Sequence, residues 1–138
     1  VVSEAGNLAA RLEGLTKVYG SSIIITEETL IKISDPTLYN YRFLDVVKVK
    51  GKKSAVYIFE VIDGDPEDIR ELKDETKELF ADALKAYKNR AFQPAMDAFK
   101  EVLEINPADQ TAKVYIERCR NFIAHGCPDD WDGIEQYN

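Results

Sequence analysis

No part of this 138-residue chain approaches the roughly 18 consecutive apolar residues that a membrane helix needs, and no basic-then-apolar leader opens it. The expectation is a soluble, cytoplasmic chain that makes no membrane contact, although a longer parent could carry an anchor. Cysteine is scarce, with two residues, and there is a single histidine. Two cysteines without a secretory signal point to free thiols in a reducing compartment. Cys119, His125 and Cys127 are the only candidates for soft-metal ligands. Their spacing fits no standard zinc pattern, which needs paired ligands and a fourth residue, so no metal site is expected within the chain. Nor does any nucleophile, base and orienting group fall together, which argues against thiol catalysis. Basic residues are outnumbered 18 to 25, leaving a net charge of −7. Phosphate backbones are held by clustered Lys and Arg, so nucleic acid is not an expected partner.

The charge that is present is unevenly spread. Residues 1–62 hold eight Lys or Arg against seven Asp or Glu, and residues 63–138 hold ten against eighteen. The balance shifts from +1 to −8 at Asp63-Gly64-Asp65-Pro66, where Gly and Pro break a strand and Pro can open a helix. Two modules are expected, 1–62 and 63–138.

In the first module, Leu8, Leu12, Leu15 and Tyr19 recur at helical spacing and predict an amphipathic helix that ends near Gly20. Asn7 and Arg11 project from another face of that helix, four residues apart. On spacing alone they describe a helix start and a solvated cation. Ile23 to Thr26 is a short apolar run suited to a strand buried on both faces. Glu27 to Ser34 predicts a short helix stopped by Asp35-Pro36. Phe43 to Lys50 and Ala55 to Val61 predict two strands joined through Gly51-Lys52-Lys53-Ser54. Lys48, Lys50 and Lys52 would share one strand face, able to attract phosphates or to serve as a solvated edge that discourages aggregation.

The second module is helical by pattern. Leu79, Phe80, Ala83, Leu84 and Tyr87 form one stripe, and Ala95, Ala98, Phe99 and Val102 a second. Ala112, Tyr115, Ile116, Cys119, Phe122 and Ile123 form a third, which places Cys119 in the core. Trp131 is expected to pack on these helices.

The wording of the first module carries more than its periodicity. Asn7-Leu8-Ala9-Ala10-Arg11-Leu12-Glu13, then Leu44-Asp45, Val49-Lys50-Gly51-Lys52 and Val56-Tyr57-Ile58-Phe59-Glu60-Val61, resemble the second half of a class III nucleotidyl cyclase catalytic domain. Ser3-Glu4-Ala5-Gly6 stands where that family has Gly-Asp-x-Val. The span from Thr76 to Pro107 resembles a single degenerate tetratricopeptide unit, with Ala83, Ala95 and Phe99 at its packing positions, Pro107 at its closing proline, and Asp82 and Ala86 departing from it. The tail through Pro128-Asp129-Asp130-Trp131-Asp132-Gly133 resembles the end of many bacterial class III cyclases that carry helical repeats.

These resemblances imply an α+β chain. A partial ferredoxin-like cyclase half, with helix, strand, short helix and two-strand hairpin, would be followed by an all-α helical-repeat segment of about three helices. They imply a parent enzyme that converts ATP or GTP to the 3′,5′-cyclic nucleotide and pyrophosphate in second-messenger signalling. Asn7 would orient the ribose, Arg11 would hold the transition-state phosphate and Lys50 the terminal phosphates. The metal-binding aspartates, and the Mg²⁺ or Mn²⁺ they hold, would come from upstream of this chain, which is expected to be inactive alone. A homodimer is implied, with a protein partner for the helical repeat. The alternative is a non-catalytic interaction or dimerisation module.

Overall fold

The computed structural model describes residues 4–33, 35–49 and 54–137, with backbone alone for residues 4–10, 36 and 49. Among them are six α helices and one four-stranded sheet, a mixed α+β chain as the sequence predicts. The chain divides into two compact units, Val1–Asp65 together with Asp132–Asn138, and Pro66–Trp131.

The first unit opens with helix α1, Glu4–Tyr19, a segment rich in Ala, Leu and other strong helix formers. Gly20 ends it at φ 66, a conformation that favours glycine. Leu15 and Tyr19 are buried and Leu12 half-buried, so the expected stripe does face the core where side chains are described. Strand β1, Ile24–Thr26, leads directly into helix α2, Glu27–Lys32. The Thr26 hydroxyl caps α2 by accepting from the Thr29 N–H at 3.2 Å, and Glu27 and Glu28 sit at the positive end of the helix. Strands β2, Tyr41–Val49, and β3, Val56–Val61, follow. The sheet order is β1-β3-β2-β4, where β4 is Glu135–Tyr137. β3 is antiparallel to both neighbours, and β4 runs parallel to β2 with Val47 opposite Glu135 and Val49 opposite Tyr137.

Strand β1 corrects one expectation. It is an edge strand of this sheet, with Ile23 beside it 46% exposed and Ile25 only half-buried. Ile24 and Thr26 alone are buried, the alternation of a strand with one covered face.

Strand β2 carries a bulge, because Phe43 pairs with Phe59 but Asp45 pairs with Ile58, which leaves Leu44 as an extra residue. An extra residue reverses the in-out alternation. Arg42 and Leu44 are buried before the slip and Asp45 and Val47 after it, all in the same layer as Ile58 and Glu60 of β3. Arg42 lies opposite Glu60 and donates to its carboxylate through Nε at 3.1 Å and Nη2 at 2.7 Å. Phe43, Tyr57 and Phe59 cluster on the opposite layer, the first and last half-buried and Tyr57 exposed.

The second unit is four helices, α3 (Glu67–Glu75), α4 (Lys77–Lys88), α5 (Phe92–Ile105) and α6 (Gln110–His125). Helix α4 packs on α5, and α5 on α6. Aromatic rings fill the space between them. Phe99 stacks on Tyr115 at 5.0 Å and meets Phe80 edge-on at 5.5 Å, and Phe92 stacks on Phe122 at 4.6 Å. Trp131 closes this cluster against Tyr87, Phe92 and Phe122, each centroid within 5.5 Å, as expected of a packing residue. Arg90 in the α4–α5 turn donates to the carbonyls of Asp129 and Trp131 and so ties that ring's backbone down. The Asp109 carboxylate caps α6 at the Ala112 N–H.

Phe99 is fully buried between two rings. Replacing it with Ala is expected to destabilise this unit by about 3–5 kcal/mol through lost contacts and a residual cavity. Urea unfolding followed by helical circular dichroism checks the value.

Candidate functional site

Helix α1 is the element that carries the expected chemistry. Asn7 and Arg11 both lie on it, about 6 Å apart along the axis at 1.5 Å per residue. Arg11, Leu15 and Tyr19 continue the same four-residue row. Leu15 and Tyr19 are buried and Arg11 is exposed, so the row leaves the core as it runs towards the N-terminus. The Asn7 side chain lies outside the described residues, as does all of Lys50, which follows directly after the last residue of β2. The structure therefore positions Arg11 and the Asn7 backbone on one helix, and says nothing of Lys50.

The C-terminal end of α1 is anchored by polar contacts that the sequence pattern conceals. The Tyr19 hydroxyl, 1% exposed as a residue, donates to Asp45 Oδ2 at 2.6 Å. The Val46 N–H donates to the other carboxylate oxygen at 2.8 Å. The Tyr137 hydroxyl lies 3.0 Å from that of Tyr19, and the two rings meet edge-on at 6.3 Å. A phenol has one proton and the carboxylate can only accept. Tyr19 gives its proton to Asp45, so Tyr137 is the donor to Tyr19. The result is a directed relay from Tyr137 on β4 through Tyr19 on α1 to Asp45 on β2. Periodicity counts Tyr19 merely as an apolar stripe residue and gives no weight to Asp45 or Tyr137. The one available signal is a carboxylate, Asp45, inside an otherwise apolar strand segment.

Comparison with known proteins brings in three relatives. The chain is 40% identical over 119 residues to "Adenylate cyclase, terminal-differentiation specific" of Dictyostelium discoideum, covering 86% of this chain and 6% of that protein. It is 48% identical over 62 residues to "Adenylate cyclase" of Anabaena cylindrica, covering 44% of this chain and 12% of that protein. It is 36% identical over 56 residues to "Adenylate cyclase 1" of Rhizobium meliloti, covering 41% of this chain and 8% of that protein. The chain contains an adenylate cyclase-related region. It spans a small fraction of the length of each relative. No family model matches the chain, and no solved structure matches it. The first match is longer than either structural unit, so the likeness extends across both.

Within the cyclase-related chain, Arg11 is an exposed guanidinium, a planar fork able to donate two hydrogen bonds to one phosphate group. A divalent metal finds no fit: among the described residues no group of three or more Asp, Glu, His or Cys could hold one. No described helix is long and apolar enough to cross a membrane.

The two thiols differ sharply. Cys119 is fully buried on α6, and burial pushes its thiol up from 9.0 to about 11, against a smaller lowering by the Arg118 guanidinium. Cys127 is half-buried and lies beyond the end of α6. A thiol reagent at pH 8 is therefore expected to modify Cys127 in the folded chain and to reach Cys119 only after unfolding. Because the folded thiol holds its proton more tightly than the unfolded one, its contribution to stability is complete below pH 9.0 and is lost as pH rises towards about 11. Mass-resolved labelling in the presence and absence of urea measures the first effect, and unfolding midpoints between pH 8 and 11 the second.

Proposed function

We propose that this chain is the C-terminal part of a class III nucleotidyl cyclase that forms a 3′,5′-cyclic nucleotide and pyrophosphate from ATP or GTP in second-messenger signalling. The observation that carries this reading is the 40% identity to an adenylate cyclase over 86% of the chain. In the proposed reaction the ribose 3′ oxygen attacks the α-phosphorus and pyrophosphate leaves. Asn7 orients the ribose, and Arg11 donates to the α-phosphate oxygens, where negative charge accumulates. Lys50 neutralises the terminal phosphates as a point charge. A Mg²⁺ or Mn²⁺ ion would supply further charge neutralisation, and its ligands are assigned to parts of the parent upstream of this chain.

The isolated chain is accordingly proposed to be inactive. In a dimeric parent it would give the Asn and Arg of each composite site. The tetratricopeptide-like second unit would act as a regulatory or dimerising appendage that docks a protein partner. The reading places the parent in the bacterial type, active in the cytoplasm. A non-catalytic interaction module is the competing assignment.

The test is cyclic nucleotide formation from ATP and from GTP with Mn²⁺, in a longer protein that carries this chain behind a complete upstream cyclase half. Arg11→Ala is expected to lower kcat by about 10²–10³-fold, the loss of about 2.7–4 kcal/mol typical of one preorganised donor to a developing oxyanion. Absence of product from the unaltered protein would leave the interaction module in front.

A further inference from the structure

The relay Tyr137–Tyr19–Asp45 joins three elements that are far apart in sequence. Tyr19 is on the helix that bears Arg11, Asp45 is on the strand that ends one residue before Lys50, and Tyr137 is on β4, which the chain reaches only after the whole helical unit. Packing alone would hold a phenylalanine at position 19 equally well, since the ring is what fills the apolar stripe. The hydroxyl adds direction. Its bond to a carboxylate fixed in turn by the Val46 N–H allows one rotation of α1 about its axis. A helix rotates 100° per residue, so the rotation set at Tyr19 also sets the direction of Arg11, two turns earlier on the same row. Charge-assisted bonds of this kind are short and strong, and the observed 2.6 Å is in their range.

We infer that Tyr19 is a positioning residue for Arg11, and that β4 supports it by donating the Tyr137 hydroxyl and pairing with β2. This rests on the cyclase reading for its catalytic consequence, but not for the mechanical one. The mechanical part is that the strand following the helical unit holds α1 in register with β2.

Two measurements separate the inference from the cyclase reading. In this chain as it stands, Tyr19→Phe and Tyr137→Phe are followed by amide hydrogen exchange. Exchange of the α1 amides from Leu12 to Tyr19 is expected to quicken about fivefold or more in Tyr19→Phe, with the α4–α6 amides unchanged, because the opening is local. In the longer, active protein, Tyr19→Phe is expected to lower kcat about tenfold while KM stays within about twofold, because a misdirected Arg11 weakens transition-state rather than ground-state contacts. In Asp45→Asn the amide oxygen can still accept from the Val46 N–H while the amide nitrogen donates to the Tyr19 hydroxyl, which then turns its own proton to Tyr137, so the contact survives with its direction reversed. This variant is expected to retain kcat within about threefold. A purely structural role predicts instead that both variants lose active protein together at unchanged kcat per folded molecule. Unaltered α1 exchange in Tyr19→Phe overturns the inference whatever the activity. So does an unaltered kcat in a protein whose Arg11→Ala variant is dead. If the unaltered protein makes no product, the cyclase reading falls and the exchange data alone decide the mechanical part: quickened α1 exchange in Tyr137→Phe as well as in Tyr19→Phe supports a hold by β4, and unaltered exchange in Tyr137→Phe overturns it.

Discussion

The bulge at Leu44 is the constraint on which the sheet unit depends. A regular strand would bury Arg42, Leu44 and Val46 in one layer and send Asp45 and Val47 to the other. The inserted residue returns Asp45 and Val47 to the layer that already holds Arg42 and Leu44. Asp45 thereby meets the Tyr19 hydroxyl, and Arg42 remains opposite Glu60. One backbone irregularity thus lets a single strand present a cation and an anion to the same interior, each with a different partner.

That arrangement bears more on register than on net stability. A buried ion pair returns little beyond its desolvation cost, and removing one partner is what costs heavily. Arg42 and Glu60 are 8% and 1% exposed in their side chains. A one-residue slip of β2 against β3 would turn both charges to opposite faces and separate Asp45 from Tyr19. Misregistered pairings are therefore penalised far more than the correct pairing is rewarded. The helical unit needs no such device, because interlocking rings such as Phe99 on Tyr115 and Trp131 on Phe92 fix its packing by shape.

Much of the fold was legible from the order of residues. The stripes of α4, α5 and α6 are strongly periodic, and most of the residues their spacing selects are buried, Phe80, Phe99, Tyr115 and Cys119 among them, whereas Ile123, at the C-terminal end of the α6 stripe, is 47% exposed. Helix α3 has no apolar stripe to announce it beyond the helix-opening Pro66, because Glu67–Glu75 is dominated by charge and offers only Ile69 and Leu72 as apolar guides. Strand β4 was invisible for a different reason. Three residues cannot establish an alternation, and its partner β2 lies more than eighty residues earlier, with the helical unit between them. The burial of β1 was overestimated because an apolar run does not reveal whether a strand is central or at the edge.

The candidate site divides along the same line between local and long-range information. Asn7 and Arg11 are four residues apart on one helix, and although that spacing by itself describes only a helix start and a solvated cation, the residues that single the pair out all lie within the same short stretch of sequence. What gives Arg11 a defined direction is contributed by residues 34 and 126 positions further along, Asp45 and Tyr137. Polar residues at such separations have no periodic signature, and a buried tyrosine in an apolar stripe looks like a hydrophobe until its hydroxyl finds a partner. A helix that is to give a side chain such as Arg11 a defined direction has to be rotated correctly as well as formed. In this chain formation is a property of the first twenty residues, whereas rotation depends on a contact made by the last strand.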